Sequence, residues 1–119
     1  MIQIAIMGLG TVGTGVAKGV EENARQIERK LGEPLQVKTI LVRHFKDGAY
    51  RDRMTDDFGR IECDPDIRVV VETIGGAEAA YEYTRRALAA GKHVVTANKE
   101  LVAEHGCELL ALAREKGGS

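Results

Sequence analysis

The stretch "IAIMGLGTVGTGV", residues 4–16, decides how this chain folds, because an apolar run passes there into closely spaced glycines. The run stops at Gly8, and residues 8–13, "GLGTVG", match the spacing G-x-G-x-x-G. When this spacing follows a strand and opens a helix, it is typical of a loop that binds the pyrophosphate of a dinucleotide. Gly8 permits a tight turn, Gly10 has no side chain to block a phosphate, and Gly13 lets the helix pack closely on its strand. The alternative is a glycine-rich turn that holds no ligand.

Residues beyond the glycines predict the rest of the fold. Apolar positions recur every three or four residues and predict one helix over 11–31, ended by Gly32 and Pro34. Three runs rich in β-branched residues predict further strands over 35–43, 67–74 and 93–97. The other predicted elements are a helix over 77–90, either one helix or a pair divided at Gly106 over 99–116, and a loop over 44–66 with a helical turn near 49–57. Strands that alternate with helices predict an α/β, Rossmann-like, doubly wound parallel sheet of about four strands in a single domain.

Composition excludes several classes of function. The 119 residues carry a formal net charge of −1 with no basic run, which gives no indication of a nucleic-acid or anionic-membrane partner. The N-terminus reads as a strand and not as a signal peptide, and no stretch approaches the ~18 apolar residues of a membrane span. Cys63 and Cys107 have no metal-site spacing, and we expect two reduced thiols in a cytoplasmic protein.

The end of the second predicted strand bears on which dinucleotide binds. Sites for NAD usually place an acid there to bind the ribose hydroxyls, about 20 residues past the glycines. This strand ends instead on "LVRHFK", with Arg43 followed by His44. An arginine suits a 2′-phosphate through charge-assisted hydrogen bonds, so the sequence favours NADP(H), with NAD(H) still open. The alternative is an arginine that only faces solvent.

Two other strand ends offer candidates for a site. Glu72 stands in an apolar strand, and we expect a structural carboxylate that is paired with a neighbouring loop, because a buried acid must be paired. Gly75 and Gly76 either allow a close approach to nicotinamide or form only a turn. At the last strand end, Asn98 suits the N-cap of a helix, whereas Lys99 is mildly unfavourable beside the positive end of the helix dipole. A lysine there either serves a substrate or extends into solvent.

No metal site is predicted. The three histidines stand in different predicted elements without ligand spacing, and we interpret each as structural: His44, His93 and His105.

Three motifs together resemble the N-terminal NAD(P)-binding domain of homoserine dehydrogenase. They are "GLGTVGTGV" at 8–16, "VVETIGG" at 70–76 and "ALAAGKHVVTANKELVAEHG" at 87–106. The resemblance runs over essentially the whole chain, and the third motif is the most specific. It implies an enzyme that reduces aspartate semialdehyde to homoserine with NADPH or NADH, on the route to threonine and methionine.

The resemblance also implies roles for individual residues. Arg43 would meet the adenosine ribose or its phosphate, and Lys99 would transfer a proton or orient the substrate. The pyrophosphate loop would be formed by Gly8, Leu9, Gly10, Thr11, Val12 and Gly13. The nicotinamide side would be lined by Ile74, Gly75, Thr96, Ala97 and Asn98.

The chain departs from that family in its length. Members continue for a few hundred residues with a further strand of the nucleotide domain and a substrate and dimerisation domain. We therefore expect an isolated cofactor domain that binds the dinucleotide without turnover. We also expect a sheet edge left open by the missing fifth strand, which invites self-association. Two alternatives stay open: a stand-alone sensor of NAD(P), and a domain of another amino-acid dehydrogenase. A methyltransferase is disfavoured, since it normally needs an acid where Arg43 stands.

Overall fold

Five parallel strands form one sheet with helices on both faces in the computed structural model, which describes residues 1–45, 47–74, 78–96 and 98–116. In chain order the elements are β1 (Ile2–Met7), α1 (Thr11–Glu22), α2 (Ala24–Leu31), β2 (Leu35–Leu41), a 3₁₀ turn (Arg51–Arg53), β3 (Met54–Thr55), α3 (Gly59–Glu62), β4 (Ile67–Glu72), α4 (Glu78–Ala89), β5 (His93–Thr96) and α5 (Lys99–Lys116). The strands lie in the order β3-β2-β1-β4-β5, and each neighbouring pair is parallel. The α/β class and the parallel sheet are therefore confirmed.

The strand count differs from the prediction of about four. The additional strand is β3, which lies within the segment predicted as a loop and pairs with β2 at the sheet edge. The Val42 N–H donates to the Thr55 carbonyl at 2.8 Å and extends this short ladder. Two residues are too few to show an alternating pattern, so β3 can be identified as a strand only from its pairing with β2.

The helix predicted over 11–31 is two helices, and Asn23 separates them. Its side-chain amide donates to the Gly19 carbonyl at 2.9 Å, and its own N–H donates to the same oxygen at 3.1 Å. The N–H bond is the ordinary helical one, whereas the side-chain bond to the same carbonyl competes with it at the point where the chain turns between the helices. The predicted end at Gly32 is confirmed, since this residue adopts the left-handed conformation that closes many helices, with φ at +81°.

The other boundaries agree with the prediction within a few residues. The short helix α3 was missed, because four residues are too short to show a helical period. Gly106 does not interrupt α5, which runs from Lys99 to Lys116. A glycine inside a long helix costs about 1 kcal/mol relative to alanine, which packing against α4 offsets.

The core lies on both faces of the sheet, which puts β1 at the centre of the molecule. Ile4, Ala5, Ile6 and Met7 are all at most 4% exposed. Ile4 and Ile6 share one face with Ala17 of α1, and Ala5 and Met7 face the side covered by α3 and α4. The carboxyl end of β1 is therefore held rigidly between two helical layers.

Candidate functional site

The glycine turn after β1 is packed too closely for side chains at two positions. Gly8 has φ at +96°, a left-handed conformation that favours glycine, and its N–H donates to the Leu41 carbonyl at 2.8 Å. A Cβ on Gly13 would lie 2.2 Å from the Gly8 carbonyl oxygen, closer than any real contact. The first turn of α1 therefore lies directly on the glycine turn, as the sequence predicted for Gly13.

Gly10 has the opposite environment. It is the N-cap of α1 with extended backbone, and a Cβ there would meet no atom within 4 Å. No side chain caps the start of α1, and its first turn contains no acidic residue. The N–H groups and the positive end of the helix dipole at this point suit an anion such as a pyrophosphate. Val12, in the same turn, is 62% exposed.

A cavity of about 490 Å³ opens beside this turn, at the carboxyl ends of β1, β2 and β4. Its volume lies in the ~300–1,000 Å³ range of small-molecule sites, and this edge of an open α/β sheet is where ligands bind. Its lining consists of Gly8, Leu9, Gly10, Leu41, Val42, Arg43, His44, Asp56, Thr73, Ile74, Ala79 and Tyr83. The fold thus brings together five residues predicted from the sequence: Gly8, Leu9, Gly10, Arg43 and Ile74.

The β2 side of the cavity carries three polar side chains. Arg43 and His44 follow β2, and Asp56 follows β3; all three are exposed. Sequence reasoning missed Asp56, because the segment that carries it has no periodicity. Its closeness to Arg43 depends on the pairing of β3 with β2.

Thr73, also missed, holds the glycine turn in place. Its hydroxyl lies 2.8 Å from the Met7 carbonyl oxygen and 3.0 Å from that of Gly8, both of which can accept its proton. Its N–H donates to the Met7 carbonyl at 3.0 Å. The end of β4 is thereby tied to the end of β1, with Ile74 next along the chain at the cavity wall. Gly75 and Gly76 lie outside the described residues.

Glu72 is structural, as expected, and is only 2% exposed. One carboxylate oxygen accepts the Ile74 N–H at 2.6 Å and the other accepts the Thr96 hydroxyl. Both oxygens of a buried acid are therefore paired within the protein, which removes most of the cost of burying it.

Asn98 caps α5, which confirms the predicted N-cap. Its side-chain oxygen accepts the Leu101 N–H at 3.1 Å, and its side-chain amide donates to the Ile74 carbonyl at 3.0 Å. The Asn98 N–H also donates to the Thr96 hydroxyl oxygen at 3.0 Å. These bonds join the ends of β4 and β5, and neither Thr96 nor Asn98 is among the residues that line the cavity.

The remaining predicted residues are described only in part. Lys99 is the first residue of α5 and Thr11 the first of α1; the side chains of both lie outside the description. Ala97 lies outside the described residues altogether. The roles predicted for them stay predictions.

A buried lysine lies at the opposite end of the sheet. Lys92 is 5% exposed, and its ammonium donates to the carbonyls of Asp64 and Ile67 at 2.6 and 2.7 Å. Burial lowers the pKa of Lys92. Because it precedes β5 and bonds to the first residue of β4, it is remote from the cavity and stabilises the loop between α3 and β4.

Neither a metal site nor a membrane span is found in the described part of the chain. No group of three or more His, Cys, Asp or Glu side chains could hold a metal ion there. None of its helices is long and apolar enough to cross a bilayer.

Comparison with known proteins identifies relatives over nearly the whole chain. Residues 8–119 match the family model described as "Homoserine dehydrogenase, NAD binding domain". The homoserine dehydrogenase of Pseudomonas aeruginosa is 45% identical over 118 residues, which cover 98% of this chain and 27% of that protein. The homoserine dehydrogenase of Bacillus subtilis is 40% identical over 120 residues, which cover 98% of this chain and 28% of that protein. The chain thus spans little more than a quarter of the length of these relatives.

Solved structures agree with the sequence comparison. A crystal structure of S. aureus homoserine dehydrogenase superposes with a TM-score of 0.89 at 40% identity, covering 99% of this chain and 31% of that one. The homoserine dehydrogenase of Thiobacillus denitrificans gives a TM-score of 0.90 at 40% identity, covering 98% of this chain and 28% of that one.

Proposed function

The chain belongs to the family of homoserine dehydrogenase NAD-binding domains, and from this premise we propose that it binds NADPH, and more weakly NADH, in the cavity beside Gly10. The observation that carries the proposal is the uncapped start of α1 at Gly10, where open space meets a cavity of about 490 Å³. A side chain at this position would enter that space, whereas a pyrophosphate fits it.

The pyrophosphate is held by the backbone of the turn and of the first helical residues. In this proposal the contacts come from Gly8, Leu9, Gly10, Thr11, Val12 and Gly13. The N–H groups at the start of α1 act with the dipole of that helix, and no acidic residue in the first turn opposes the negative charge.

Arg43 supplies the preference for NADPH. Its exposed guanidinium borders the cavity on the β2 side, which corresponds to the adenosine end of a dinucleotide that lies across the glycine turn. A guanidinium binds a phosphate through bidentate, charge-assisted hydrogen bonds that a ribose hydroxyl cannot match.

The nicotinamide end lies towards β4 and β5. We assign to it Ile74, Gly75, Thr96, Ala97 and Asn98, with Lys99 as the catalytic residue of the parent enzyme. The bonds from Glu72 and Asn98 to the segment around Ile74 would hold this side rigid. When bound, the reduced nicotinamide supplies a hydride. The Lys99 ammonium would orient aspartate semialdehyde and give a proton to its carbonyl oxygen, which completes the alcohol of homoserine.

The complete reaction requires more than this domain. Because the chain spans about 27% of its relatives, we propose that residues 1–119 form the single cofactor domain of a longer, cytoplasmic homoserine dehydrogenase in threonine and methionine synthesis. The isolated domain should bind the cofactor without turnover, since the substrate site would be incomplete. In the full-length enzyme, Lys99→Met should abolish turnover and leave the Kd for NADPH unchanged. A loss of NADPH binding in that variant would contradict the catalytic role.

Calorimetric titration with NADPH and NADH tests the cofactor proposal. Arg43→Ala should weaken NADPH binding by about 10–100-fold, the value of one hydrogen bond to a charged group, and should change NADH binding much less. Arg25→Ala is the matched control, because Arg25 is also exposed but lies on α2, away from the cavity lining. Absence of binding for both dinucleotides at millimolar concentration would overturn the proposal.

We also propose weak self-association of this domain through β5. This strand ends the sheet, and its Val95 is 57% exposed. A second copy could pair with the open edge, as unprotected edge strands tend to do. Val95→Lys should then reduce association in analytical ultracentrifugation, and a monomer at all concentrations of the unmodified domain would overturn this proposal.

A further inference from the structure

Asp56 stands at the β2 side of the cavity because of the pairing between β3 and β2. Thr55, directly before it, pairs with Leu41 and is 5% exposed, and its carbonyl accepts the Val42 N–H at 2.8 Å. The main chain at Asp56 is therefore held next to the segment that leads to Arg43. Both side chains line the same cavity from two adjacent strand ends.

The neighbouring acid, Asp57, has a structural role that Asp56 lacks. The Asp57 carboxylate accepts the Gly59 N–H at 2.9 Å, and the Asp57 N–H donates to the Thr55 hydroxyl at 3.1 Å. In the described part of the chain, the Asp56 carboxylate forms no hydrogen bond and no ion pair. In particular, it forms no salt bridge with Arg43. An exposed carboxylate at a cavity wall is thus available to a ligand.

We propose that Asp56 is a specificity-determining residue that accepts a hydrogen bond from the adenosine ribose of NADH and opposes the 2′-phosphate of NADPH. The inference rests on the proposed function, because it needs a dinucleotide in this cavity. The usual acid at the end of the second strand is replaced here by Arg43, and the acid comes instead from the next strand of the sheet. Arg43 and Asp56 then act in opposite directions on the same ribose, so that both cofactors are used.

Asp56→Asn provides the test, since it removes the charge and keeps the shape. The ratio of the Kd for NADH to the Kd for NADPH should rise about tenfold, because like-charge repulsion is lost for one cofactor and a charge-assisted bond is weakened for the other. Asp57→Asn is the matched control: the amide oxygen can still accept the Gly59 N–H, and the ratio should stay unchanged.

Two outcomes separate this inference from the proposed function. A domain that binds neither dinucleotide would overturn both. Binding with an unchanged ratio in Asp56→Asn would overturn the inference alone. The titrations are repeated with ADP-ribose and its 2′-phosphorylated form, which carry no nicotinamide. The same shift with these fragments is expected, and its absence would show that Asp56 does not act at the adenosine ribose.

Discussion

Gly13→Ala should destabilise the domain, although alanine is normally the better helix former. In a helix interior this exchange gains up to about 1 kcal/mol from propensity. At Gly13, however, the new Cβ would lie 2.2 Å from the Gly8 carbonyl oxygen and 3.0 Å from the Thr73 hydroxyl. The first of these atoms belongs to the backbone and cannot rotate away, so the turn and the helix must separate by about an ångström. Overpacking of this kind typically costs about 1–3 kcal/mol, and a clash with backbone lies at the upper end.

The net expected loss is about 2 kcal/mol, or roughly 6–12 °C in Tm for a domain of this size. Urea denaturation and thermal melting of the isolated domain measure it. Gly15→Ala is the internal control, because Gly15 lies in the same helix with no atom within 4 Å of the added Cβ. The control should be as stable as the unmodified domain or more stable by up to about 1 kcal/mol. If Gly13→Ala matches the control, the close approach of the helix to the turn is not what requires glycine here.

Three further predictions follow from the structure. Gly10→Asp should preserve or raise the stability of the domain, because the new carboxylate caps α1. The same carboxylate accepts the free N–H groups of the helix and repels phosphate, so dinucleotide binding should be lost in calorimetry. Retained binding would contradict the proposed site. The Arg86 guanidinium donates to both Glu62 carboxylate oxygens, at 2.6 and 3.1 Å, and lowers the pKa of that carboxyl. The pair therefore contributes its full stability at pH values above the ordinary pKa of 4.5, and this contribution is lost as the pH falls through the lowered pKa. Glu62→Gln should therefore cost about 1 kcal/mol at pH 7 and progressively less as the pH falls below 4.5 in urea titrations, and a pH-independent difference would argue against the pair. Lys92→Met should cost about 1–3 kcal/mol in the same assay, because the carbonyls of Asp64 and Ile67 each lose a charge-assisted hydrogen bond; a neutral effect would show that water replaces the ammonium.

The local sequence pattern was sufficient to predict much of the fold and part of the candidate site. The alternation of strands and helices, the glycine turn and the end of α2 at Gly32 each depend on residues close together in the chain. The N-cap at Asn98 and the arginine at the end of β2 are local in the same sense. Cavity residues that directly follow a strand could be predicted for this reason, since parallel strands bring their carboxyl ends to one edge.

Contacts between segments that are distant in the sequence could not be predicted from the local pattern. The two residues of β3 are a strand only because β2 lies beside them, and Asp56 reaches the cavity only through that pairing. Tyr83 lines the cavity from α4 and stacks on Phe58 with 4.9 Å between ring centroids, a contact across 25 positions of sequence.

The sequence by itself thus determined the class of fold, the glycine turn after β1 and the family of the chain. The tertiary structure alone decided which carboxylate is available to a ligand. Glu72 is occupied by bonds from Ile74 and Thr96, whereas Asp56 has no such partner in the described part of the chain. The physical reason is that propensity and capping act over a few residues, whereas pairing a buried acid or placing an exposed one depends on which segments the packed sheet brings together.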